Sequence, residues 1–421
     1  MSSSTSESTD LSTGNPGAAG TFGERLQSMW FVESAERPQG VTTRFPYVPA
    51  LDGIRGLLVF PVLLFHFTLI GCTQGGGCSA TILAPGSFFA PSMFFTLSGF
   101  LITSLLLIER GGKGRVDWLA FWSRRFRRLL PASVVVVLVC AALPHMWPAA
   151  WGRLFPSDAL AALFSFRNWQ AISLETTQGL RTVGPLSPYW SLAIEEQFYL
   201  GLSIVVGVAM LARSWRTTLT VALAATGAAS IFAMLVVHGT PNRELFGTDI
   251  RAAEVVAGCL LAVAVQKWGW PQSRWFVPLG WIGLAGTVIL WGWVSEHDPW
   301  VLNGGLILIA VLNLMIIVGA SVWGGSIGRF FCSRPLVEIG KLSYPLYLVH
   351  WPVALATMPV HTGLDGWPLT LLRFGLCLLL AVPLTKFIEA PIRSRRILKG
   401  WKFPAVWAGA VAASIGLSLW G

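Results

Sequence analysis

ALDGIRGLLVFPVLLFHF, residues 50–67, has the apolar content of a membrane helix yet carries Arg55 and His66. Arg55 stands at the mouth of that helix and His66 eleven residues further on. At a rise of about 1.5 Å per residue the two lie roughly 16 Å apart along the axis, about half the thickness of a bilayer core. An ionisable group at such depth costs kilocalories unless it faces a partner or a wet cavity, so the default reading is functional. The competing reading is an anchoring arginine that snorkels to the headgroups and a histidine that hydrogen-bonds a neighbouring helix.

Outward from this stretch the whole chain has the same character. Of 421 residues 54% are hydrophobic and only 12% charged. The mean hydropathy is +0.63. Such a composition excludes an ordinary soluble domain and predicts an all-α, polytopic helical membrane protein. Approximate spans are 52–71, 86–108, 129–147, 190–211, 217–237, 250–266, 276–294, 303–322, 342–358, 368–388 and 404–420, eleven in all. The 21 tryptophans suit interfacial belts. The net charge of +10 raises the question of nucleic acid, but the basic residues cluster at helix ends. Anionic headgroups and the positive-inside rule account for them, so no nucleic-acid partner is expected.

Alternate loops differ sharply in Lys and Arg. The loops after even-numbered spans hold nineteen, those after odd-numbered spans four. The expected topology is a multi-pass protein of the inner or plasma membrane with a cytoplasmic N-terminus and an extracytoplasmic C-terminus. Residues 1–45, rich in Ser, Thr, Gly and Pro, read as a disordered cytoplasmic tail with a short interfacial helix near 22–32. They are no signal peptide, because the apolar run comes too late. Residues 46–395 form the membrane domain, and 396–421 a basic linker with one additional helix. The sequence ends at the outer edge of that helix, with no extracytoplasmic domain expected after it. The longest outward loop, 148–189, has enough apolar residues for an interfacial helix or a lid.

Five constellations carry chemistry. In the first, a neutral His66 is a candidate general base or nucleophile, and Arg55 a phosphate ligand. In the second, SRRFRRLLP (residues 123–131), four arginines in five positions serve as a stop-transfer signal or as a cradle for a polyphosphate. The third, WSLAIEEQFYL (residues 190–200), brings Glu195 and Glu196 in from the outer side, about 100° apart around the helix. Solvation in the outer headgroup layer is the plain alternative. In the fourth, Arg251 and Glu254 are three apart on one face and can pair, as structural glue or as a proton-handling group. The fifth, LSYPLYLVHWP (residues 342–352), aligns Tyr344, Tyr347 and His350, with His350 in mid-helix. Glu389 closes span ten and is expected to pair with Arg393. No metal set emerges, for neither H-E-x-x-H nor a cysteine pair with zinc spacing is present. Of the six cysteines, Cys72 and Cys78 flank TQGGG in an outer loop and are disulfide candidates in an oxidising compartment.

Taken in order, these elements resemble the integral-membrane acyltransferase family 3, which includes O-acetyltransferases of surface glycans and macrolide O-acyltransferases. LDGIRG followed by FH matches the family's Arg-x10-His signature as Arg55 and His66. FFTLSGFLIT matches its second span, and FWSRRFRRLLP its Arg-x-x-Arg-x-x-Pro element at Arg125, Arg128 and Pro131. WSLAIEEQFY, RAAEVVAG, LSYPLYLVHWP and IEAPIR follow, so the likeness covers about 45–395, a ten-helix core plus one helix. It implies transfer of an acyl group, acetyl foremost, from cytoplasmic acyl-coenzyme A to a hydroxyl of a glycan, glycolipid or other glycosylated acceptor. His66 would be catalytic with Glu195 and Glu196 beside it. Arg55, Arg125 and Arg128 would bind the donor. Asp52, Ser98, Arg251, Glu254, Tyr344 and His350 complete the candidates. Some family members join the eleventh span to an extracytoplasmic transferase or esterase domain, whose work here would fall to a separate partner or to the membrane domain alone. The competing function is a proton-coupled transporter or flippase of a lipid or glycan intermediate, with His66, Glu195 and the Arg251–Glu254 pair as relay.

Overall fold

A computed structural model describes residues 46–73, 85–147, 154–179, 184–295 and 298–420. The expectations for 1–45 and for a Cys72–Cys78 disulfide lie outside the described residues.

Eleven long helices carry the described fold. They are α1 (Pro49–Thr73), α2 (Ala90–Lys113), α3 (Trp118–Met146), α4 (Tyr189–Ala209), α5 (Trp215–Val236), α6 (Thr248–Trp268), α7 (Phe276–Trp293), α8 (Leu306–Ala320), α9 (Arg334–Ala356), α10 (Gly366–Pro383) and α11 (Lys402–Trp420). Each coincides with one of the expected spans. Among the described residues nine helical segments are long and apolar enough to cross a membrane. Helices α6 and α9 are not among them: α6 carries Asp249, Arg251, Glu254 and Lys267, and the apolar part of α9 holds Lys341, Tyr344, Pro345, Tyr347, His350 and Pro352. Several spans begin earlier than expected. Helix α3 starts at Trp118, where Asp117 caps it by accepting from the Ala120 amide at 2.9 Å. Its four arginines therefore lie within the helix, not in a loop before it.

The connection between α3 and α4 contains two short helices, Pro156–Leu163 and Arg167–Gln178. They are held by a buried Arg167–Asp158 ion pair at 2.7 Å. Desolvation lowers the Arg167 pKa from its ordinary value, and the Asp158 carboxylate opposes that shift. Asn168 and Gln197 tie the second short helix to α4 through a 2.9 Å bond.

Helices in lipid gain nothing from hiding apolar surface from tails, so close packing over small residues draws them together. Two pairs show this. Helix α1 lies against α9 with Gly56 facing the Leu336 carbonyl and Gly340 facing the Asp52 carbonyl, and a Cβ at either glycine would overlap that oxygen. Helix α2 lies against α6 in the same manner, Gly99 on the Val255 carbonyl and Gly258 on the Thr96 carbonyl. One buried cluster joins α1, α3, α9 and α10 through Val59, Val137, Val349 and Cys377. A second joins α1, α2, α7 and α8 through Ile54, Leu97, Leu284 and Ile317. A third joins α2, α4, α5 and α6 through Phe95, Ile194, Leu223 and Val255. Helices α1, α2, α3, α4 and α9 thus converge, and the candidate site lies between them.

Candidate active site

A cleft opens among these five helices. Arg55 and Val62 of α1 line it, with Ser98 of α2, Arg125 and Arg128 of α3, Glu195 and Tyr199 of α4, and Tyr344 and Tyr347 of α9. All three arginines expected at the donor are therefore in one cavity. Residues 55, 62 and 66 are separated by seven and eleven positions, which at 100° per residue returns them to nearly the same face of α1. His66 sits one turn beyond Val62 along that stripe.

The three guanidiniums are held differently. Arg125 forks onto Glu196, with Nη2 2.8 Å and Nε 3.1 Å from Oε1, and lies flat over the Tyr199 ring with Cζ 3.2 Å from its centroid. Among the described residues Arg55 reaches only Asp52, at 4.0 Å. Arg128 projects into the cleft and makes no hydrogen bond or ion pair with a described residue. The neighbouring arginines point elsewhere. Arg124 contacts Glu109 at 3.3 Å, and buried Arg127 donates to the Leu398 carbonyl at 2.7 Å and covers the Phe403 ring. The run of four thus divides, two into the cleft and two away from it. Two of the cleft arginines keep donors free for an anion.

The glutamates do not follow the plain alternative of a solvated pair. Glu196 is in the ion pair with Arg125, and Glu195 accepts from Ser98 Oγ at 3.3 Å and from the Tyr199 hydroxyl at 3.2 Å. The physical reason is depth. Helix α3 runs on past its apolar core at the Trp118 end, so a residue two turns into it meets a residue two turns into α4 from the opposite end. In low-dielectric surroundings a carboxylate that can reach a guanidinium is held there.

His66 and His350 meet. His350 Nε2 is 3.1 Å from His66 Nδ1, and His350 Nδ1 is 2.5 Å from the Tyr347 carbonyl of its own helix. His350 is fully buried and His66 partly so. Trp351 packs edge-on to His66, with 5.3 Å between ring centroids, and donates to the Gly184 carbonyl at 3.1 Å. Tyr347 gives its hydroxyl hydrogen to the Pro188 carbonyl at 2.7 Å and lies 2.6 Å from Ser191 Oγ. The segment before α4 is thereby stitched over the histidine pair. Tyr344 donates to the Leu129 carbonyl at 2.7 Å and fixes α9 against α3.

Arg251 and Glu254 do not line the cleft. They form a 3.0 Å pair, each about 1% exposed, with Arg251 also bonded to Ser92 Oγ at 2.8 Å and to the Leu245 carbonyl at 3.1 Å. Phe95, whose ring faces the cleft, stands 5.2 Å from the guanidinium. The pair braces α6 against α2 behind the cleft wall. Glu389 and Arg393 pair at 2.9 Å, as expected.

One buried arginine escaped the sequence reading. Arg373 of α10, 1% exposed, donates to the carbonyls of Phe67, Ala354 and Thr357 and to Thr357 Oγ1. It binds the backbone of α1 next to His66 to the end of α9. Its signal was a lone arginine inside an otherwise apolar run. Among the described residues no three His, Cys, Asp or Glu side chains gather in a metal-binding set.

Comparison with known proteins bears on this arrangement. The family model described as Acyltransferase domain matches residues 48–388. The peptidoglycan O-acetyltransferase OatA of Listeria monocytogenes is 31% identical over 397 residues, which are 86% of this chain and 58% of that protein. The O-acetyltransferase OatA of Staphylococcus aureus is 32% identical over 365 residues, 83% of this chain and 58% of that protein. The chain spans about three fifths of the length of these relatives. No solved structure matches it.

Proposed function

The chain belongs to the acyltransferase family whose domain it matches over 48–388, and on that premise we propose that it is a membrane O-acetyltransferase acting on a hydroxyl of a cell-envelope glycan. Peptidoglycan is the acceptor favoured, because relatives covering most of this chain carry that name. The donor is an activated acetyl group on a polyanionic carrier, acetyl-coenzyme A foremost. One observation carries this reading: Arg55, Arg125 and Arg128 converge on a single cleft that ends one helical turn from His66.

Each part has a physical task. Arg128 and Arg55 bind phosphate oxygens of the donor, since a guanidinium is a planar, permanently charged donor. Arg125 is held by Glu196 and Tyr199 and shapes the wall. The acetyl thioester then extends along the stripe of α1 toward His66. His66 takes the proton of the attacking hydroxyl as the oxygen bonds to the thioester carbonyl carbon. The carbon–sulfur bond breaks, the sulfur leaves as thiolate, and the proton passes from the imidazole to that thiolate. The charged carrier stays on the side of the arginines, so only the acetyl group crosses. With the N-terminus cytoplasmic, that side is the cytoplasm, and the acceptor is on the outer face.

Purified protein in vesicles, supplied with radiolabelled acetyl-coenzyme A and soluble peptidoglycan fragments, tests the proposal. Acetylated fragments from wild type and none from His66→Ala are the expected result. Equal product from the two proteins would overturn it, as would transport of acceptor without any acetyl donor.

A further inference from the structure

The histidine pair holds more information than the position of a base. His350 Nδ1 lies against the Tyr347 carbonyl oxygen, and His350 Nε2 lies against His66 Nδ1. A carbonyl oxygen can only accept, so His350 carries its hydrogen on Nδ1. A neutral imidazole has one N–H, which leaves a lone pair on His350 Nε2. His66 Nδ1 then has to donate, and the lone pair of His66 falls on Nε2. The uncharged form suits the place. His350 is 0% exposed, and no carboxylate hydrogen-bonds to either ring among the described residues. A buried imidazolium would have no compensating charge there.

We propose that His350 is a positioning residue that fixes His66 in the Nδ1–H tautomer, making Nε2 of His66 the nitrogen that takes the proton of the acceptor hydroxyl. The inference rests on the transferase role of His66 and adds which nitrogen reacts and what prepares it. Geometry supplies the restraint as well as the tautomer. The His66 ring is held between His350, at 4.9 Å between centroids, and the edges of Phe65 and Trp351, each at 5.3 Å. Trp351 is anchored on the Gly184 carbonyl and His350 on its own helix, so neither contact needs substrate to form. When Nε2 takes up a proton, the Nδ1–H bond to His350 becomes charge-assisted and strengthens. His350 thus sets the resting state together with the Val62 carbonyl, which also takes a hydrogen bond from His66, and it stabilises the imidazolium that follows. No carboxylate is needed for either task, because the backbone carbonyl of Tyr347 supplies the final acceptor.

The test has two readouts on the full-length protein in lipid. The first is nitrogen-15 NMR of histidine-labelled protein, with the His66 signals identified by their loss in His66→Ala. Wild type is expected to show His66 Nδ1 protonated and Nε2 bare. The second is steady-state kinetics. His350→Ala is expected to lower kcat by about tenfold to hundredfold at unchanged KM, the loss that follows when one hydrogen bond to a charged group is removed from the transition state. His350→Gln should recover much of that loss, because its amide oxygen can accept from Nδ1–H. A wild-type spectrum with the proton on His66 Nε2 would overturn the proposal. So would a folded His350→Gln protein as impaired as His350→Ala, or His350→Ala with wild-type kcat. If His350→Ala fails to fold, the wild-type spectrum and the glutamine variant still decide. The tautomer is read without turnover, so failure of the transferase reading, seen as full activity in His66→Ala, is distinguishable from failure of this one.

Discussion

Replacement of Arg128 by alanine should separate donor binding from folding. The side chain projects into the cleft without a hydrogen bond to a described residue, and Glu389, which attracts it at longer range, keeps its ion pair with Arg393, so its removal strands no charge. What it loses is its attraction to an anion. A guanidinium about 4 Å from a phosphate is worth about 4 kcal/mol at an effective dielectric constant near 20. Desolvation of both groups reduces this to about 1.5–3 kcal/mol, the net worth of a hydrogen bond to a charged group. That range corresponds to a rise of about 10- to 140-fold in KM for acetyl-coenzyme A. Arg128→Lys keeps the charge but not the fork and should fall between. Arg125→Ala behaves differently, because it strands Glu196, whose side chain is 20% exposed. Breaking a mostly buried pair costs about 3 kcal/mol of stability or more, so this variant should melt earlier whatever its kinetics. The assay is acetyl transfer at varied donor concentration, beside thermal unfolding of each variant in the same detergent. An Arg128→Ala protein with unchanged KM would refute the reasoning, and one that melts as early as Arg125→Ala would show that the side chain has a structural partner.

The remaining predictions concern packing and the buried pair. Arg251→Met should destabilise by about 3–5 kcal/mol, because Glu254 is left buried without its cation. Arg251→Met combined with Glu254→Met should recover stability and keep transfer activity, whereas a proton-relay role predicts that the double variant is folded and inactive. Gly258→Leu should abolish folded protein, since even its Cβ would overlap the Thr96 carbonyl; size-exclusion of a fluorescent fusion reads this directly, and a monodisperse peak at wild-type yield would contradict it. Tyr344→Phe should cost at most about 1.5 kcal/mol, the value of one hydrogen bond to a backbone carbonyl, with little change in kcat. A large loss of kcat would give the hydroxyl a chemical role instead.

How far the sequence could be read follows from what its signals depend on. The apolar runs marked every long helix, since burying a backbone in lipid demands about twenty consecutive apolar residues. Arg55 and His66 stood out for the same reason, as ionisable residues inside such a run. What stayed hidden was contact between helices. The pairing of Arg125 with Glu196 depends on how far α3 extends beyond its apolar core, and the apolar run alone does not show that extension. Nor could the joining of His66 to His350 be foreseen, because two mid-helix histidines reveal depth but not which helices are neighbours. The glycines that bring α1 against α9 are the residues that create the contact, yet Gly56 and Gly340 alone do not name each other as partners. Arg373 was legible in the same way as Arg55, since it is an arginine that sits further inside its apolar run.

The central claim is that His66 performs acetyl transfer from a donor held by the cleft arginines. The most direct measurement is acetyl-coenzyme A turnover with peptidoglycan fragments by purified wild type and His66→Ala, both shown to be folded by thermal unfolding. The account predicts product from the first and loss of product from the second with unaltered donor binding. Undiminished turnover in His66→Ala would contradict it.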